Sequence, residues 1–243
     1  MKSTFVIGDI HGCLIEFKEL LNKINYNPET HRVILAGDIV DRGEYSLDCI
    51  HFVQELNLEC VLGNHENFYI RWNKNNEIFK STGQKNKMRS NENKLKLFAQ
   101  LSFQDIQWMK SLPHFIHINK DWTLIHAGIE PALPFEKQYS DALFHTRYVD
   151  DRGHSRSLNK DFSQPENTVF WTEKYTGQKN FLYGHSVHSR TDPRIDKNIN
   201  GGTCIGLDTG CVYGGKLTAY CIETKEFVQV QAKKTYYKFF GNC

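Results

Sequence analysis

A layered α/β fold is what this 243-residue sequence predicts, and three features predict it. Short, continuously apolar runs recur along the chain. Helix-period stripes fill the gaps between the first three, and most of the runs end in a glycine beside Asp, Asn or His. Runs of this length, rich in β-branched and aromatic residues and bounded by turn residues, read as strands. Their continuous apolarity, in place of alternation, predicts strands covered on both faces.

The first run, residues 4–7 (TFVI), leads into Gly8-Asp9. Leu14, Phe17, Leu20, Leu21 and Ile24 then share one helical stripe, which stops at Asn25-Tyr26-Asn27-Pro28. Residues 32–36 (RVILA) lead into Gly37-Asp38, and a second stripe (Leu47, Ile50, Val53, Leu56) precedes residues 59–62 (ECVL) and Gly63-Asn64-His65. Strand–helix–strand–helix–strand is the mark of a layered α/β domain. Residues 122–125 (WTLI) run into His126, and 180–183 (NFLY) into Gly184-His185. The stretches 203–207, 217–222 and 227–230 read as further strands with Gly-rich turns, an antiparallel finish.

Two segments interrupt this rhythm. Residues 73–94 are polar and basic and predict a surface loop, one that could also form an electrostatic rim for an anionic substrate. Residues 131–179 carry three prolines but also Phe144, Tyr148, Phe162, Phe170 and Trp171, which predicts an ordered, cap-like insert. With no repeat and no sharp shift in composition, residues 1–243 are expected to form a single domain.

Composition narrows the function. Lys plus Arg number 30 against 28 Asp plus Glu, a net charge of +2 that gives no general case for nucleic-acid binding. No apolar stretch approaches the ~18 residues of a membrane span. Gly8 and Asp9 interrupt the N-terminal region before a signal peptide could form. Seven cysteines without CxxC spacing look like reduced thiols, so a cytoplasmic location is expected and a membrane partner is not.

The polar residues at the strand ends carry the chemistry, because in α/β sheets the carboxyl ends of strands face a common crevice. They are Asp9 and His11, Asp38 and Asp41, Asn64 and His65, His126, and His185. Asp, His and Asn suit hard and borderline divalent cations, and six of these residues could form a two-metal site bridged by Asp38. Any one of the short motifs could be ordinary turn chemistry, but the ordered set, each behind its own strand, is hard to explain so.

GDIHG (8–12), GDIVDRG (37–43) and GNHE (63–66), followed by His126 and His185, resemble the calcineurin-like metallophosphoesterases. More narrowly, they resemble the phosphoprotein phosphatase branch, which includes phage-encoded Ser/Thr phosphatases and the symmetrical dinucleoside tetraphosphatases. The resemblance implies a central two-sheet β-sandwich flanked by helices, with polar helical or loop insertions, in place of a simple open sheet. By motif, it implies that Asp9 and His11 hold one metal, that Asn64, His126 and His185 hold a second, and that Asp38 bridges both. It further implies His65 as general acid, Asp41 as the carboxylate that orients it, and Arg42 as a phosphate clamp. Arg147, in LFHTR, matches a second clamp, with Arg152 the runner-up.

Two divalent cations, manganese first with iron or zinc as alternatives, would lower the pKa of a shared water and create a bridging hydroxide for in-line attack on phosphorus. An imidazole beside a ligand residue could then protonate the leaving oxygen. The main expectation is a metal-dependent phosphohydrolase like the Ser/Thr protein phosphatases, acting on a phosphorylated protein. The alternative is a bis(5′-nucleosyl)-tetraphosphatase acting on a nucleoside polyphosphate, or a hydrolase of RNA polyphosphate caps; HAGIEP and LDTGCVYGGKLTAY lean that way. For metal binding, the second of these segments reads as a plain hairpin. The intact set of ligand-type residues argues against a non-catalytic scaffold.

Overall fold

A computed structural model of the chain describes residues 2–238. In chain order, β1 (Ser3–Ile7), α1 (Leu14–Lys23), β2 (His31–Leu35), α2 (Ser46–Glu55) and β3 (Glu59–Cys60) alternate. Three helices follow, α3 (Asn64–Thr82), α4 (Glu92–Gln100) and α5 (Phe103–Ser111), then β4 (Phe115–His117) and β5 (Trp122–Ile125). The insert 131–179 holds α6 (Ser140–His145), the short strands β6 (Tyr148–Val149), β7 (Ser155–Arg156) and β8 (Val169–Phe170), and α7 (Trp171–Lys174). The last strands are β9 (Asn180–Tyr183), β10 (Arg194–Lys197), β11 (Thr203–Gly206), β12 (Lys216–Cys221) and β13 (Phe227–Gln231).

Two five-stranded mixed sheets, ordered β13-β12-β1-β2-β3 and β10-β11-β9-β5-β4, form the sandwich. Strand alternation explains why both faces of each strand are apolar. In β1 and β2, Val6 and Ile34 point inward to meet Leu124, Leu182 and Ile205 of the second sheet. Phe5, Ile7, Val33 and Leu35 point outward and pack under Phe17, Leu20, Ile50 and Val53 of α1 and α2. On the far face of the second sheet, Phe181 and Tyr183 pack against Leu143, Val149, Phe170 and the fully buried Trp171 of the insert. The insert thus packs on the second sheet through its aromatic residues.

Three neighbouring strands in each sheet are parallel: β1, β2 and β3 in one, and β5, β9 and β11 in the other. Their carboxyl ends deliver the polar clusters to the site. Crossing hydrogen bonds tie the post-strand turns together: the His11 N–H donates to Asp38 O at 2.8 Å, and the Gly184 N–H to His126 O at 2.8 Å.

The structure corrects two of the sequence expectations. Residues 73–94 are not one loop: α3 continues to Thr82, Gly83 closes it in the left-handed conformation (φ 75°), and α4 begins at Glu92. This helix is anchored by the buried Glu66 and Tyr69 and then extends into solvent. Its outer turns are supported by polar i,i+4 contacts such as Asn73 Nδ2 to Glu77 Oε1 (2.8 Å), so no apolar stripe announces it. The segment 203–221 is not a hairpin either. β11 pairs with β9 and β10, whereas β12 pairs with β1 and β13, so the LDTGCVYGG stretch crosses between the sheets. The crossing carries Asp208 to the end of the sandwich where the other acids gather.

All six cysteines among the described residues are buried and unpaired by disulfides, as expected of reduced thiols; Cys243 lies outside the described residues. No helix among the described residues is long and apolar enough to cross a membrane.

Candidate metal centre

Asp38 is the hub. Its Oδ1 lies 3.4 Å from His126 Nε2, and its Oδ2 lies 3.6 Å from His11 Nε2 and 3.8 Å from His65 Nε2. Two clusters with metal-ligand spacing result, His11–Asp38–His65 and Asp38–His126–His185, and Asp38 belongs to both. Asn64 Oδ1 sits 2.9 Å from His126 Nε2, and Asp9 Oδ2 sits 3.9 Å from His11 Nε2. The structure therefore brings Asp9, His11, Asp38, Asn64, His126 and His185 to one place from five separate turns or element ends.

Backbone contacts set the tautomers. His11 Nδ1 is 2.7 Å from Val40 O, and His126 Nδ1 is 2.7 Å from Ala36 O, so each ring donates there and turns Nε2 towards the centre. The Asp9 carboxylate accepts the His185 N–H with both oxygens at 3.0 Å. These packed acids leave no space for side chains beside them. A Cβ at Gly184 would lie 2.0 Å from Asp9 Oδ1, and one at Gly63 would lie 2.3 Å from Asp38 Oδ1. The site is also conformationally strained: His11, Asp38, Asp41, Arg42 and His185 all adopt positive φ, between 45° and 72°.

The donor set fits divalent cations. Asp9, Asp38 and Asp208 are buried together, and burial, reinforced by the Asp208 and Asp38 charges, pushes Asp9 well above the usual carboxylate range. Burial likewise holds the His11 and His185 imidazoles well below their ordinary value, with Arg42 acting on the first and Arg147 on the second, so both favour the neutral, ligating form. The buried Nε2 of His185 has no hydrogen-bond partner among the described residues. A centre with surplus buried carboxylates and an unpartnered imidazole nitrogen is chemically short of positive charge.

His65 turns Nε2 to the first cluster and has its Nδ1 2.5 Å from Asp41 Oδ2. Tyr69 Oη donates to the other Asp41 oxygen, and Lys94 Nζ sits 2.5 Å from Oδ2. Burial favours a higher Asp41 pKa, but His65 and Lys94 more than offset it, so the group is held well below the carboxylate range. Arg42 reaches His11 Nε2 and lies over the Tyr213 ring, 5.4 Å from its centroid. Arg147 donates from Nη2 to His185 O at 2.8 Å, while its own carbonyl accepts the Trp171 N–H at 2.9 Å. Arg152 is exposed and lines a separate surface cavity of about 410 Å³ with Asp150, His154 and Arg156. Of the two clamp candidates, Arg147 is the one at the centre.

Sequence reasoning missed four participants. Asp208 lies in the crossover that reads as a hairpin, and its only sequence signal is the DTG turn. Tyr69 comes from α3, which has no strong apolar stripe, and Lys94 from the polar, basic segment 73–94 that reads as a surface loop. His145, a histidine outside the motifs, has its ring 6.4 Å from that of His185; its closeness to Arg147 in LFHTR is the available hint. Glu66 was noticed only as part of GNHE. Its buried carboxylate in fact accepts the N–H groups of Asp38, Ile39, Val40 and Gly63 at 2.8–3.2 Å, and so fixes the loop that presents Asp38.

Comparison with known proteins agrees with this geometry. The calcineurin-like phosphoesterase family model matches residues 3–205. The chain is 29% identical to an asymmetrical bis(5′-nucleosyl)-tetraphosphatase of Oceanobacillus iheyensis, over 95% of this chain and 93% of that one. It is 26% identical to a symmetrical bis(5′-nucleosyl)-tetraphosphatase of Haemophilus ducreyi, over 96% of this chain and all of the other. In fold it is similar to the crystal structure of a candidate diadenosine tetraphosphatase, with a TM-score of 0.75, 23% identity, and coverage of 95% and 94% of the two chains. A Saccharomyces cerevisiae protein serine/threonine phosphatase gives a TM-score of 0.55 at 15% identity, covering 96% of this chain and 80% of that one. With the sandwich, the strand-end clusters and a match running through most of its length, the chain belongs to the calcineurin-like phosphoesterase family and is a hydrolase of phosphoric ester or phosphoanhydride bonds.

Proposed function

We propose that the chain hydrolyses a phosphoanhydride bond in a nucleoside polyphosphate of the bis(5′-nucleosyl)-tetraphosphate class, at a dinuclear centre bridged by Asp38. The observation that carries the centre is the sharing of Asp38 between the His11 and His126–His185 clusters. The substrate reading is supported by relatives of that name that align over more than nine-tenths of both chains. The phosphoprotein reading gives way to this alternative, because its support is a likeness of fold at 15% identity.

In this proposal Asp9, His11 and Asp38 hold one ion and Asn64, His126 and His185 the other, with manganese the ion of first choice. Two divalent ions bound there would neutralise phosphate oxygens and acidify a water for in-line attack. The chain's residues do the rest. Arg42 and Arg147 bind the phosphate oxygens and orient them for displacement. His65 donates its Nε2 proton to the leaving oxygen, and Asp41, fixed on Nδ1, holds the ring in the required tautomer and stabilises its cation. Glu66 holds the Asp38 loop in register with the cluster.

The test is product analysis with manganese-loaded protein on diadenosine tetraphosphate, a phosphoserine peptide, capped RNA and p-nitrophenyl phosphate. A specificity constant highest for the tetraphosphate supports the reading, and the nucleotides released show whether cleavage is symmetrical. A preference for the phosphopeptide would overturn it.

A further inference from the structure

The function proposed above does not use Lys94, yet α4 places this lysine at the rear of the acid. Its Nζ shares Asp41 Oδ2 with His65 Nδ1, both at 2.5 Å. Its head lies 4.0 Å from the centroid of the Phe68 ring and 5.4 Å from that of Tyr69, while its side chain remains 20% exposed. An ammonium carries three N–H donors, and Asp41 takes one. A cation so placed, walled by two rings and open on one side, is more than a solvated surface charge.

We propose that Lys94 is the leaving-group cation of the active site, binding the distal phosphates of a nucleoside polyphosphate as they depart past His65. The inference rests on the proposed nucleoside polyphosphate substrate and explains how the site would prefer it. A seryl or threonyl alkoxide leaves as a strong base and needs chiefly a proton, which His65 supplies. A nucleoside phosphate leaves as a weakly basic polyanion. It needs less of the proton and more of a fixed positive charge where its negative charge accumulates. Lys94 puts that charge on the side of His65 away from Asp38, where further phosphates of the leaving group would extend. The Asn91 side chain caps α4 by accepting the Lys94 N–H at 2.9 Å, so the lysine enters the site from a fixed first turn.

The experiment compares manganese-loaded wild type with Lys94→Met and Lys94→Arg on diadenosine tetraphosphate and on p-nitrophenyl phosphate, with ADP as an inhibitor of the second reaction. Thermal unfolding checks that the variants fold. A charge-assisted phosphate contact is typically worth about 10- to 100-fold. Lys94→Met is therefore expected to lose about that factor in kcat/KM on the tetraphosphate and several-fold less on the aryl phosphate. It should also raise the ADP inhibition constant about tenfold, with Lys94→Arg recovering most of both. Equal losses on both substrates, with unchanged ADP inhibition, would show that Lys94 only positions Asp41 and His65, and no loss anywhere would make it a surface ion pair; either result overturns the proposal. A wild type that ignores the tetraphosphate while Lys94→Met still weakens ADP would sink the substrate reading and leave the anion subsite standing.

Discussion

His65 Nδ1 and Asp41 Oδ2 are 2.5 Å apart, so the imidazole nitrogen left to face the centre is Nε2, 3.8 Å from Asp38 Oδ2. A ring held this way can pass a proton without surrendering its place to a metal. His65→Asn is accordingly expected to keep its metal content and lose about 10²–10⁴ in kcat, most on substrates with basic leaving groups. Asp41→Asn should lose less alone and add little to His65→Asn, because the two act as one unit. Full additivity in the double variant would separate their roles.

Asp38 joins both clusters through different oxygens, so its loss cannot be confined to one of them. Asp38→Ala is expected to drop bound manganese from two ions per chain towards none and to abolish turnover with it. Elemental analysis alongside activity decides the matter: an active, metal-replete Asp38→Ala protein would end the bridging assignment.

Arg147 and Arg152 lie five residues apart but face different surroundings. Arg147 is packed against His185 O, whereas Arg152 lines the separate cavity. Removing a charged hydrogen bond to phosphate typically costs about 10-fold or more, so Arg147→Ala should raise KM and lower kcat/KM by at least that, with Arg152→Ala within about twofold of wild type. The reverse pattern in steady-state kinetics would exchange their roles.

Glu66 is fully buried and answers the N–H groups of Asp38, Ile39, Val40 and Gly63. In Glu66→Gln an amide NH₂ would face two of those donors, because each carboxylate oxygen accepts two. We expect a loss of stability of about 2–3 kcal/mol in urea unfolding, together with weaker manganese binding. An unchanged unfolding midpoint would mean that the loop does not depend on this carboxylate.

Much of this was legible in the primary structure, and the legible part has a common physical basis. Asp9, Asp38, Asn64, His126 and His185 each follow a short apolar run. Parallel strands in both sheets end on the same side, so reading the runs located the residues. What stayed hidden depends on partners distant in sequence. Lys94 meets Asp41 across 53 residues, from the first turn of α4, at the end of a polar, basic segment that reads as a surface loop. Asp208 reaches the acids only because β11 and β12 lie in different sheets, and two strands separated by glycines give no local sign of that. The helical state of residues 73–82 was concealed for a similar reason: an anchored helix extends into solvent without the periodicity by which buried helices are recognised.

The left-handed backbone at His11, Asp38, Asp41, Arg42 and His185 has an evolutionary corollary. In the metal-free chain, glycine at such a position would relax the main chain. Heat hardening and turnover therefore pull in opposite directions here. A directed-evolution campaign scored on thermal survival alone should erode these very codons first, and one that also demands hydrolysis must find its gains elsewhere.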